Sequence, residues 1–182
     1  MASRFYDANF NYSIEISMTT IPFVIRPIEA KDNADVAKII RQVLVEQGAP
    51  KVGTAYEDKT LDHLFESFQK PRSAYFVLLV DDVILGSAGI APLDNGDASV
   101  CELQKMYFAP EVRGRGLGKQ MMQECIAFAK AQNFSICYIE TLPVMKAAQK
   151  LYLKSGFKYI PQRLGDTGHY SCTVFMKKDL NL

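Results

Sequence analysis

Apolar positions along the chain change period several times, and each change predicts a new element. The run PFVIRPI at 22–28, with Pro22 and Pro27 near its ends, reads as a strand. From Ala30 to Glu46 the period lengthens, because Val36, Ile39, Ile40, Val43 and Leu44 recur at helical spacing. This predicts an amphipathic helix, stopped by Gly48-Ala49-Pro50. Gly53 to Tyr56 reads as a loop and a candidate rim for a substrate pocket; Leu61, Leu64, Phe65 and Phe68 then mark a shorter helix ended by Pro71. Three strand-like runs follow at 74–80, 83–91 and 98–108, separated by Asp81-Asp82 and Asp94-Asn95-Gly96-Asp97, so the middle of the chain predicts a β-meander. From Leu117 the helical period returns, at Leu117, Met121, Cys125, Phe128 and Ala129. A strand at 135–140, a helix at 145–155 stopped by Gly156, and strands at 157–160 and 171–177 complete the pattern.

An antiparallel meander joined to a strand-helix-strand unit, which must cross over in parallel, predicts an α/β fold on a mixed sheet. Residues 1–17 carry no sustained period and are expected to lie outside that fold as an N-terminal extension, leaving 18–182 as one domain. Composition is that of an ordinary soluble globular chain, with 48% hydrophobic and 23% charged residues. The formal charge of +1 argues against bulk attraction to nucleic acid or an anionic membrane, so any anionic ligand must be gripped locally. The four cysteines, Cys101, Cys125, Cys137 and Cys172, show no metal-ligand spacing, and no metal is expected. They read as buried free thiols of a cytoplasmic protein, since Met1 to Ile16 lacks the basic and apolar regions of a signal peptide. The longest apolar stretch, Tyr75 to Val80, is far below the ~20 residues of a membrane-spanning helix.

The candidate grip is the sequence Arg113-Gly114-Arg115-Gly116-Leu117-Gly118-Lys119 between a strand and a helix. Glycines allow close approach of backbone to ligand, the first amides of a helix lack intrahelical partners, and the helix dipole adds about half a positive charge there. Arg113, Arg115 and Lys119 place cations around the same turn. A P-loop is excluded, because it needs Gly at 113 and Ser or Thr at 120, where the chain has Arg113 and Gln120. A dinucleotide fingerprint from Gly114 and Gly116 lacks its third glycine at Lys119, although Glu140 stands where a ribose-binding acid would.

The stretch Arg113 to Gly118 resembles the Q/R-x-x-G-x-G/A element of the GNAT superfamily of N-acetyltransferases. A second segment, Ala148 to Phe157, is similar to that superfamily's A-x-x-L-Y-x-x-x-G-F pattern at the expected distance downstream. The resemblance implies a largely antiparallel mixed sheet of about six to seven strands flanked by about four helices. It implies acetyl-coenzyme A as co-substrate, with the pyrophosphate on the amides of residues 113–119 and the pantetheine arm added like a strand along Met106, Tyr107 and Phe108. Many members carry Asn where this chain has Met145, which removes one polar contact to that arm.

Acetylation of an amine with a pKa near 10.4 needs a proton removed. Glu102, on the strand leading to the glycine loop, is the candidate base, with a solvated or salt-bridged glutamate as its structural alternative. The resemblance makes Tyr152 the donor to the leaving thiolate; the alternative is a core tyrosine beside Leu151. Glu140 and His169 are candidate contacts for the acceptor, and a covalent route through Cys172 is the less favoured alternative to direct transfer. The acceptor itself, a small-molecule, amino-acid or peptide amine, has no shared pattern to identify it. A nucleotide- or NAD-binding enzyme and a non-catalytic acetyl-coenzyme A sensor stand as rival functions, and edge strands leave room for a homodimer.

Overall fold

The computed structural model describes residues 22–181, so the N-terminal extension expected at 1–17 lies outside the described residues. Seven strands form one sheet: β1 Val24–Pro27, β2 Ala74–Val80, β3 Val83–Pro92, β4 Val100–Phe108, β5 Ile136–Thr141, β6 Lys158–Ile160 and β7 Val174–Asp179. Their spatial order is β1-β2-β3-β4-β5-β7-β6, and every pairing is antiparallel except β4 with β5. The helices are α1 Asn33–Glu46, α2 Leu64–Ser67, α3 Leu117–Ala131 and α4 Lys146–Lys154. This is the mixed, largely antiparallel sheet with four helices that the sequence predicts.

Period-two alternation assigns the faces. On β2, Val77 and Leu79 pack with Val36, Ile40 and Leu44 of α1, whereas Leu78 and Val80 pack with Met121, Cys125 and Ala129 of α3. Both stripes are buried, which is why β2 reads as a continuous apolar run rather than an alternating one. All four cysteines are buried free thiols.

Several boundaries differ from expectation, and two have a visible cause. The predicted 30–46 helix begins as a 3-10 turn at Ala30–Asp32, because the Asp32 carboxylate accepts from the Glu29 amide at 2.8 Å and from Arg26 at 2.6 and 3.0 Å. The last strand starts at Val174 rather than 171, since Ser171 N–H is donated to Gly53 and Cys172 N–H to His169 instead of to a strand ladder. Among the described residues no helix is long and apolar enough to cross a membrane.

Candidate active site

Beside β4 the α1 face of the sheet opens into a cavity of ≈ 630 Å³, walled by the 52–60 loop, the 167–170 loop, and Glu102, Gln104 and Lys105 of β4. Glu102 is only 4% exposed, and its Oε2 accepts from Gln104 Nε2 at 2.6 Å. Burial pushes its carboxyl up to about 7, against the opposing pull of His169 and of the Gln104 hydrogen bond. Oε1 has no protein partner among the described residues. Glu102 is therefore a carboxylate poised to gain or lose a proton near neutral pH at a cavity wall.

The neighbouring geometry comes from a bulge in β4. Ser87 pairs with Tyr107 but Gly89 with Gln104, so Lys105 and Met106 together oppose one residue of β3. Lys105 adopts φ 50°, a left-handed conformation rare for a side-chain-bearing residue, and buried Tyr75 donates to its carbonyl at 3.2 Å. The bulge reverses the alternation: Cys101 and Leu103 face α3, and so do Met106 and Phe108, while Tyr107 joins the α1 side. Lys105 extends to Asp58 with Nζ 2.7 Å from Oδ2, its side chain 6% exposed, and His169 Nε2 lies 3.9 Å from the same oxygen. Although burial opposes ionisation, His169 and the Lys105 ammonium hold Asp58 well below the usual carboxylate range. Sequence reasoning missed Asp58, Gln104 and Lys105; the one available signal was a lysine interrupting a strand between Glu102 and Phe108.

Past Glu102 the two parallel strands separate. They pair only from Val100–Glu102 to Ile136–Tyr138, so the edge of β4 from Leu103 to Phe108 that faces β5 has no strand partner. The gap is a narrow cleft of ≈ 50 Å³, lined by Met106, Tyr107, Glu140, Met145, Tyr152 and Cys172 among others, and Lys105 lines both it and the wide cavity. Tyr152 is buried, its hydroxyl has no protein partner among the described residues, and burial holds it protonated by raising its pKa. Cys172, pushed by burial up to about 12, stays a thiol at neutral pH. Glu140 lines the cleft rather than the cavity, and both its oxygens are engaged, by the hydroxyls of Tyr138 and Thr167 at 2.8 Å each. Its observed contact is with the 167–170 wall.

The glycine loop opens beside the cleft. Gly114 and Gly116 have φ of 74° and 80°, and a Cβ built on either would meet no atom within 4 Å, so these glycines answer to backbone conformation and leave the space above them clear. Lys119 and Gln120 donate their amides back to the Gly116 carbonyl, whereas those of Gly114, Arg115, Gly116, Leu117 and Gly118 have no acceptor among the described residues. They form a row of donors at the start of α3. Arg113 differs from its expected part: its guanidinium donates to Phe108 O at 2.8 Å and is paired with both carboxylate oxygens of Glu46. It ties the loop to β4 and α1, leaving exposed Arg115 and Lys119 as the cations at the row. The free amides offer donors to a pyrophosphate, and the unpaired edge of β4 offers main-chain partners to an extended arm. Among the described residues no group of His, Cys, Asp and Glu has the arrangement to hold a metal ion.

Comparison with known proteins adds independent information. Residues 40–157 match the family model for the acetyltransferase (GNAT) family. The Escherichia coli protein YjgM, named an uncharacterized N-acetyltransferase, is 39% identical over 158 residues, covering 86% of this chain and 95% of its own. N-acetylaspartate synthetase of Xenopus tropicalis is 29% identical over 92 residues; the match takes in 50% of this chain and only 33% of that longer protein. Among solved structures, the Salmonella typhimurium acetyltransferase yncA, determined with its cofactor acetyl-CoA, superposes with a TM-score of 0.70 at 20% identity, covering 87% of this chain and 94% of that one. At that identity the likeness concerns the fold.

Proposed function

The chain belongs to the GNAT acetyltransferase family and is an acetyl-transferring enzyme; on that premise we propose direct transfer from acetyl-coenzyme A to the primary amine of a small molecule, amino acid or peptide. The observation that carries this reading is adjacency: Glu102 lines the wide cavity, Tyr152 the narrow cleft, and Lys105 lines both. An acceptor in the cavity and a thioester in the cleft would meet at the β4 bulge.

Acetyl-coenzyme A supplies an activated acetyl thioester. Glu102 takes a proton from the acceptor ammonium, directly or through a water, and releases it to solvent, freeing the nitrogen lone pair to form the C–N bond. Tyr152 donates its hydroxyl hydrogen to the departing sulfur as the C–S bond breaks, and regains a proton originating on the acylated nitrogen. The products are an N-acetylamine and the free thiol, with one proton released to solvent. The amides of residues 114–118, with Arg115 and Lys119, hold the pyrophosphate; the free edge of Met106, Tyr107 and Phe108 aligns the arm; and Arg113 holds the loop in place. The match to N-acetylaspartate synthetase brings in an amino-acid amine as one acceptor class.

Calorimetric titration with acetyl-coenzyme A, NAD and ATP tests the assignment. Selective binding of acetyl-coenzyme A followed by thiol release in the presence of an amine is expected; a preference for NAD, or tight binding without transfer to any amine, overturns it.

A further inference from the structure

The acceptor cavity is acidic beyond what its internal pairing neutralises. Four carboxylates line it, Glu57, Asp58, Asp94 and Glu102, against the two lysines Lys70 and Lys105. Asp58 and Lys105 neutralise each other at 2.7 Å, leaving Glu57, Asp94 and Glu102 against Lys70 and His169. Glu102, nine-tenths buried, points an unpartnered oxygen into the space. Glu57 and Asp94 are exposed residues of the cavity lining, in the 52–60 loop and the β3–β4 turn. Between the loops Tyr170 is 61% exposed, and one edge of its ring crowds Gly53, where an added Cβ would lie 2.6 Å away. An exposed aromatic ring and carboxylates lining one cavity suit an alkylammonium, which both attract. At ≈ 630 Å³ the cavity is far larger than one amino group and its immediate neighbours require.

Resting on the acetyltransferase reading, we infer that the acceptor is a linear diamine or polyamine without a carboxylate: one amine is acetylated at Glu102, and a second ammonium is held at the rim by Glu57, Asp94 and Tyr170. The second charge orients the chain so that its other end reaches the base. Acceptors bearing a carboxylate meet two rim carboxylates and are disfavoured. Lys70 and His169 also line the cavity, and their cationic forms oppose the second ammonium. The rim carboxylates outweigh them.

Three amines of one length separate these forces: 1,4-diaminobutane, butylamine and 4-aminobutanoate carry a positive, a neutral and a negative far end. In a thiol-release assay at one pH and low salt, kcat/KM is expected to fall in that order, with the diamine ahead of butylamine by about tenfold, and the gap should narrow at 0.5 M salt. The Glu57→Gln/Asp94→Asn double variant should lower kcat/KM for the diamine towards that of butylamine, and Tyr170→Ala should do so in part. A preference for 4-aminobutanoate or aspartate, or a charge-independent rate, overturns the inference and leaves the acetyltransferase assignment standing. No transfer to any of these amines also overturns it, and calorimetric binding of acetyl-coenzyme A then reports separately on the cofactor site.

Discussion

Replacing Glu102 by glutamine removes a buried titratable group whose ionisation is expected to act on both rate and stability. Its carboxyl stands at about 7 against an ordinary value of 4.5. A carboxyl whose folded pKa is raised contributes stability that is fully present below the unfolded value and lost as pH rises through the folded one. The separation between these values corresponds to roughly 3 kcal/mol in all, most of which is lost between pH 5 and pH 8. Glutamine keeps the volume and lacks the charge, so Glu102→Gln should gain on the native protein by that amount over this interval. Urea unfolding of both proteins at pH 5 and pH 8 measures the difference of differences, which cancels the variant's own packing change. The same titration acts on turnover in the opposite direction: ionised base rises from about a tenth to about nine-tenths between pH 6 and pH 8, so the native rate gains about tenfold from this group. Glu102→Gln should lose this step, follow only the acceptor's own titration, and run roughly 10²-fold slower or worse. A stability difference identical at pH 5 and pH 8, or an unchanged rate profile, would refute the claim that a buried, ionising Glu102 is the base.

Other substitutions probe the remaining parts. Tyr152→Phe should lower kcat by at least about tenfold while leaving acetyl-coenzyme A affinity nearly unchanged, because only the departing sulfur uses the hydroxyl; equal losses in steady-state kinetics and calorimetry would indicate a packing role. Gly116→Asp places a charged side chain at φ 80° over the row of free amides and should abolish acetyl-coenzyme A binding by calorimetry; retained affinity would exclude the pyrophosphate row. Asp58→Asn strips the buried Lys105 ammonium of its partner, and chemical denaturation should show a loss of roughly 3–5 kcal/mol.

Much of this molecule is legible from local signals. The order of elements follows from apolar periods of two and of three to four, since each element buries a stripe set by its own geometry. The glycine loop is legible because its backbone is left-handed at Gly114 and Gly116, and few residues besides glycine accept that conformation readily. Glu102 was legible as an acid on the strand leading to that loop. Its poise near neutrality was not, because the shift comes from burial that only packing creates.

What required the tertiary structure is long-range in origin. Strict alternation along β4 puts Met106 and Phe108 on the Glu102 face; the bulge at Lys105 moves them to the other face, and it arises from pairing with β3 and from Tyr75 beneath it. Arg113 reads as a phosphate cation by position, yet α1 supplies Glu46 to claim its guanidinium. Asp58, Lys105 and His169 lie on three separate segments, and no spacing rule links residues that meet only once the two cavity walls fold together. Sequence alone determined the elements, the family and the glycine loop, because each depends on neighbours within a turn or two. The tertiary structure decided the charge balance of the acceptor cavity, because burial and pairing across the sheet determine which charges remain to meet a substrate.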